Sequence, residues 1–463
     1  MAGEVAQGAV HGLDHGTRGD GGTGELVEVA AILLHRPAFL VGIAQGLAGE
    51  AEYPVTLGQL DAVAKKFIGF LPLSPFELLL ALLVGLAALL IALPVKQRPV
   101  MVDPLGAKLI ALLICWIGVC TVFAQYHGLA FEYAIRAIAV MLLPFLVGIF
   151  LREPKLLQPV VWGIMGAGIV TALIIIYETK TGARLFSTSV AAVEADFEGN
   201  IRSAGGSDLN PTSVAQMLMV AVLLAAGLLA SGYKRFRPVL IGLILIGSAA
   251  IVMTSARSAV IGLGIGGIII LFRFYRSRWF PLILLGGIAL AAVGLLFVPA
   301  TTLARFEAVA NFAADRSLYR RITYLRIGWD LLQQSPIWGV GPGNFPSHYV
   351  EAEYRFLPGR TLNPRELHNT YLDAAVEYGL VGFALFMGVL GTAFLAVARA
   401  ARRAVDPLLA RMAHAIMAAL VALYAGSFFM PHKDFRYLWL MIGLAMACGA
   451  MQRFEARRAG EGP

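Results

Sequence analysis

A chain of 463 residues that is 58% apolar and 14% charged is not an ordinary soluble domain, where about a quarter of residues are charged. Its mean hydropathy of +0.75, with apolar runs long enough to cross a hydrocarbon core of about 30 Å, makes lipid the solvent for this fold. The formal net charge of +8 does not point to nucleic acid, because basic clusters recur in alternate loops, the pattern of the positive-inside rule.

The first 27 residues are Gly-rich and mix acids, bases and histidines, and read as a disordered cytoplasmic tail without a cleaved signal. Spans are expected at 29–48, 75–93, 105–124, 133–151, 160–177, 213–229, 238–253, 259–274 and 281–298, then at 380–397, 412–429 and 437–451. The first contains His35, Arg36 and Pro37 and could lie in the interface instead. The expected class is an all-α polytopic integral membrane protein of about twelve transmembrane helices. In domain terms, residues 28–298 carry spans one to nine, 299–379 form a large helical periplasmic loop, 380–452 carry the last three spans, and 453–463 are a cytoplasmic tail. Cys115, Cys120 and Cys448 fall in apolar spans and imply neither a disulfide framework nor a metal site.

Six basic clusters set the orientation: Lys96 and Arg98; Arg152 and Lys155; Lys234, Arg235 and Arg237; Arg273, Arg276 and Arg278; Arg399, Arg402 and Arg403; Arg453, Arg457 and Arg458. These are expected in the cytoplasm. The segments between them face out, and arginines there go against the rule that set the topology: Arg184, Arg202, Arg257, Arg305, Arg316, Arg320, Arg321, Arg326 and Arg436.

The outward stretch 299–379 is too long for a connector without structure of its own. Leu318, Ile322, Leu325, Ile327, Leu331 and Leu332 recur at helical spacing over 317–334, and Pro336 stops that helix. A turn-forming run, Gly339-Val340-Gly341-Pro342-Gly343-Asn344-Phe345, follows, and a second helix is expected from about His368 through Tyr371, Leu372 and Ala375.

Three pieces resemble the O-antigen ligases and related bacterial polysaccharide polymerases: RITYLRIGWDLLQQSPIWGVGPGNF at 321–345, HNTYLDAAVEYGLVG at 368–382, and the outward arginines Arg202, in IRSAGGSDLNPTSVA, and Arg257, in MTSARSAVIGL. The resemblance implies glycosyl transfer without metal or cofactor, at the periplasmic face of the bacterial inner membrane. The donor would be a glycan on undecaprenyl pyrophosphate. The acceptor would be lipid A-core for a ligase, or a second lipid-linked glycan for an O-antigen or exopolysaccharide polymerase. It also implies His368, Arg257 and Arg321 as catalytic groups, with Arg202, Asn210, Arg320, Asn344, Asn369 and Tyr371 contacting substrate. Besides these substrates, membrane lipid is the expected partner of a monomeric chain.

The residue chemistry is compatible with this on independent grounds. Guanidinium forks bind phosphate oxygens bidentately, whereas lysine offers a point charge, and an imidazole of ordinary pKa near 6.5 can accept a proton near neutrality. Arg305, Arg316, Arg326, Arg355, Arg360 and Arg365 are read as ordinary surface ion pairs. His127, His348, His414 and His432 show no ligand spacing, and no outward acid pair suits a divalent cation. A secondary transporter is the main reading from another class; against it stand the absence of an internal repeat and the clustering of unusual charges at one face, with only Arg36 and Arg136 well inside spans. A flippase would need a cationic central cavity, for which the spans hold too few bases. Ligase and polymerase share the donor grip and are not separable by sequence.

Overall fold

The computed structural model describes residues 102–182, 203, 210–276, 278, 280–281, 284–285, 316–358, 360 and 363–460. The tail and first two expected spans, most of the ninth, and Arg36, Arg184, Arg202 and Arg305 lie outside them. Among the described residues the chain is all helical. Six helices are long and apolar enough to cross a membrane: α1 Pro104–Phe123; α2 and α3, His127–Met141 and Leu143–Phe150, which together make one crossing; α4 Pro154–Thr181; α5 Pro211–Ala230; α10 Thr370–Arg403; and α11 Pro407–Gly426. Two shorter apolar helices, α6 Arg237–Met253 and α7 Arg257–Phe272, lie between. An amphipathic α8, Arg316–Gln334, a short α9, Phe345–Tyr349, and a terminal α12, Arg436–Arg458, complete the set.

Proline opens most of these helices because its missing N–H would have no partner in the first turn. Asp103 and Asp406 cap α1 and α11, accepting from Gly106 N (3.0 Å) and Leu408 N (2.7 Å). The bundle centre is α5, whose sides are almost wholly buried by α4, α6, α7 and α11. The outer helices keep apolar faces exposed, with Leu112, Val122, Leu173, Ile241 and Ile268 among the open side chains, as a chain in lipid can do at no cost.

Contacts between distant segments sort the helix ends into two faces. At the basic face Arg453 meets the buried Asp103 at 2.6 Å, with Arg399 at 3.9 Å, and Arg273 meets His414 at 2.7 Å. At the other, Gln216 Nε2 reaches Ser258 Oγ (2.9 Å) and the Gly426 carbonyl (3.4 Å), and Thr370 N bonds the carbonyls of Ser427 and Met430. The loop 316–368 folds on this second face. Arg136, inside a span, pairs with Glu132 one turn earlier on an exposed side of α2.

The apolar residues of α8 divide between two environments: Ile327, Leu331 and Leu332 are buried, while Ile322 and Leu325 are exposed together with Trp329. An apolar side chain beside a bilayer has lipid as well as a core to face, so helical spacing alone does not assign it. The helix expected from about His368 is observed as α10, which begins at Thr370 and runs on to Arg403, with one break at Gly379 (φ 66°, ψ −180°).

That break is where the loop is fastened. The Val376 and Glu377 carbonyls, freed from the helix, accept from Val340 N (2.9 Å) and Gly341 N (3.1 Å), and Leu380 N donates back to the Pro336 carbonyl at 2.8 Å. A Cβ on Gly379 would lie 1.9 Å from the Ile337 carbonyl oxygen, in a left-handed backbone conformation. Gly379→Ala should therefore lower stability by more than about 2 kcal/mol. Gly391→Ala, in the same helix with nothing near its would-be Cβ, should be neutral or stabilising. Thermal unfolding of the two purified variants checks this; equal melting temperatures would contradict the interlock.

Candidate active site

The glycine-rich turn sits under α10 because a carboxylate holds it there. Glu377 accepts from the backbone N–H groups of Gly343 (2.6 Å) and Phe345 (3.3 Å). Gly343 also lies flat against the Tyr133 ring, where a Cβ would come within 2.2 Å. Asn344, fully buried, donates to the Val340 carbonyl at 3.0 Å. A second apolar cluster, built from Tyr324, Ile327 and Leu331 of α8 with Val340, Phe345, Tyr349, Leu367 and Val376, binds the loop helices to this turn.

Beneath it, Lys433 from the α11–α12 turn meets three acids: the buried Asp373 at 2.6 Å and Glu377 at 3.0 Å, and the half-buried Asp434 at 3.2 Å. Burial alone would lower the Lys433 pKa, but these carboxylates hold it well above the ordinary lysine range. Glu366 stands at the outer edge of this group. It reaches solvent yet is crowded by protein on most sides, and that desolvation, together with Asp373 and Asp434 and against the pull of Lys433, pushes its carboxyl up to about 7.

His368 follows two residues later, just ahead of the Asn369 cap of α10. Its ring stands edge-on to Tyr324, 5.3 Å between centroids. Its Nδ1 is buried and makes no hydrogen bond among the described residues. Burial, followed by the positive field of Arg321, Arg365 and Arg320, pulls its pKa down to about 4. The imidazole is thus neutral at pH 7, with three guanidinium groups close enough to disfavour its cation. Arg321 also lies over Phe429, 5.7 Å from the ring centre, which places it beside the end of α11.

Of the residues expected at the site, the structure brings Arg320, Arg321 and His368 together. Arg257 opens α7 at the same face, next to the Ser258 that bonds Gln216 near Gly426. It is not among the arginines acting on the imidazole. Arg202 lies outside the described residues. Four residues expected to contact substrate have scaffold hydrogen bonds. Asn344 is sealed under the turn, and Asn210 caps α5 through Thr212 N at 2.9 Å. Asn369 caps α10 through Tyr371 N and Leu372 N, and the Tyr371 hydroxyl donates to the Tyr424 carbonyl at 2.7 Å. Arg360 does structural work too, donating to the Tyr349 and Glu351 carbonyls, though through backbone oxygens and not the surface ion pair expected of it. Arg365, assigned by sequence to a surface pair, adds to the positive field at His368. Lys433 and Glu366 were missed altogether. The signal for Lys433 was present: acids at i and i+4, Asp373 and Glu377, on one helix face at the entrance of a span need a cation.

Residues 241–387 match the protein family described as O-antigen ligase. The chain carries a domain of the O-antigen ligase family. The match runs from the start of α6 through the Gly379 break, so it contains Arg257, Arg320, Arg321, Arg365 and His368, whereas Lys433 comes from outside it. No curated protein is matched by the chain. The O-antigen ligase domain, with six apolar helices long enough to span, makes this a multi-pass membrane protein, and the family's chemistry is glycosyl transfer of the O-antigen ligase or polymerase type.

Proposed function

We propose that this protein moves a glycan from undecaprenyl pyrophosphate to a lipid A-core acceptor at the periplasmic face of the inner membrane. The observation that carries the reading is an imidazole with an unpartnered nitrogen, in the positive field of three arginines, on one face of an apolar bundle. In the proposed reaction the acceptor hydroxyl gives its proton to His368 as its oxygen attacks the anomeric carbon. The bond from that carbon to the phosphate oxygen breaks, and undecaprenyl pyrophosphate leaves with the bonding pair. Arg321, supported by Arg320 and Arg365 and joined by Arg257 and Arg202, grips the leaving pyrophosphate. Fixed guanidinium groups in a partly dehydrated site favour the charge that develops on that oxygen, by a few kcal/mol per donor. No step requires a divalent cation.

The same arginines set when the base is strong. In the free protein their field opposes protonation of His368. A seated dianion cancels that field and raises the basicity of the imidazole at the moment the acceptor hydroxyl must be activated. A polymerase that joins lipid-linked repeats would use the same donor machinery and differ in its acceptor.

Transfer from a purified lipid-linked donor, at matched membrane abundance, tests these roles. His368→Ala should lose about 10²-fold or more. Arg321→Lys should lose much of the rate and Arg321→Ala more, because lysine keeps the charge without the fork. Arg326→Ala, exposed on the same helix, should stay near wild type. Near-normal transfer by both His368→Ala and Arg321→Ala would dismiss the assignment.

The pH dependence of kcat/KM for the donor reports the free enzyme. Protonated His368 cannot accept a proton, so the acidic limb should lie near the imidazole value of about 4. As pH rises through about 7, Glu366 ionises next to a site that must admit a dianion, and kcat/KM should fall. Glu366→Gln should remove that alkaline limb. An acidic limb at the ordinary histidine value near 6.5 would contradict the arrangement.

A further inference from the structure

The basic face holds a concavity that the transfer reaction does not use. We infer that it is a site for the phosphate-bearing headgroup of an anionic phospholipid. A cavity of about 550 Å³ opens where the turn between α5 and α6 meets the first turns of α4 and α11. Gln158 of α4, Tyr233, Lys234 and Arg235 of the turn, and Leu408 and Arg411 of α11 line it. Among the described residues, Lys234, Arg235 and Arg411 make no salt bridge. The acids near it include Asp406, which caps α11, the exposed Glu153 before α4, and Glu455, which accepts from Val405 N at 3.0 Å.

The positive-inside rule accounts for bases in a loop. It does not account for a hollow that three separate elements build around them, nor for Arg411, which lies inside α11. The turn is also shaped at this spot. Phe236 adopts a left-handed backbone (φ 57°), unusual for a bulky residue, and its half-exposed ring is held by Trp162 edge-on at 5.5 Å and by Arg235 at 5.0 Å. Trp162, Tyr233 and Phe236 together form the aromatic edge found where protein meets headgroups. An apolar wall, a cationic rim and an exposed aromatic ring fit a headgroup with its glycerol and first acyl carbons better than a free phosphate ion. Basic hollows between transmembrane helices are the physical form of such sites.

Quenching of Trp162 by brominated lipid in vesicles measures the relative affinity of phosphatidylglycerol over phosphatidylcholine. The Trp162 signal is the difference between the full chain and its Trp162→Phe variant. The full chain should prefer the anionic lipid. Combined Lys234→Gln, Arg235→Gln and Arg411→Gln should reduce that preference about tenfold or more. Arg402→Gln with Arg403→Gln, on the same face outside the cavity, should leave it unchanged. Three results would overturn the site: an undiminished preference in the triple variant, an equal loss in the control, or removal of the preference by millimolar inorganic phosphate, which would make the ligand a free anion. If the triple variant does not accumulate, the single substitutions carry the test; part of the preference should go in each, and no loss in any would reject the proposal.

Discussion

Lys433 carries a positive charge to a place that water does not reach, and Asp373, Glu377 and Asp434 meet it there within 3.2 Å. Each of these charges would be costly to bury alone, and removing one partner from such a group typically costs about 3–5 kcal/mol. The cluster is also the joint between three parts of the chain. Asp373 and Glu377 belong to α10, and Lys433 and Asp434 to the turn between α11 and α12. The Glu377 carboxylate also accepts from the amides of Gly343, at the oxygen that meets Lys433, and Phe345, at the other, and so brings in the glycine-rich turn. The break at Gly379 adds a backbone layer to the same joint.

The site is laid over this joint. His368 stands immediately before the helix that carries Asp373 and Glu377, and Thr370 is pinned to the α11–α12 turn by its N–H and by its hydroxyl, which donates to the Met430 carbonyl (2.6 Å) and accepts from His432 N (2.7 Å). Helix α8, packed on the turn through its buried face, carries Arg320 and Arg321, whose charges act on the imidazole. A neutral base and a set of fixed cations are thereby held at one face of an apolar bundle. The electrostatic tension among them is of the kind found where charge is to be received from a substrate.

Local patterns were legible in the sequence where local physics decides. The helix expected over 317–334 is observed at Arg316–Gln334, since its spacing and its proline stop are properties of that segment alone. The glycine turn was legible for the same reason. The start of α10 was legible near His368, but the burial of Asp373 and Glu377 within it was not, because that depends on a lysine some sixty residues later in the chain. Asn210, Asn344 and Asn369 show the converse. An asparagine suits a cap or a turn as well as a sugar hydroxyl, and only the observed partners tell these uses apart. Arg365 and Arg360 are alike in sequence; one adds its charge to the field at the imidazole and the other ties down two loop carbonyls.

The most direct test of this account is the thermal stability of the purified Lys433→Met variant as a function of pH. Without the ammonium, carboxylates in the joint can stay buried only by taking up protons, which becomes harder as pH rises. The account predicts that the variant is about 3 kcal/mol or more less stable than wild type at pH 8, with a deficit that shrinks toward pH 5. A variant within about 1 kcal/mol of wild type at pH 8, with no dependence on pH, would show that the buried lysine does not hold the joint and would contradict it.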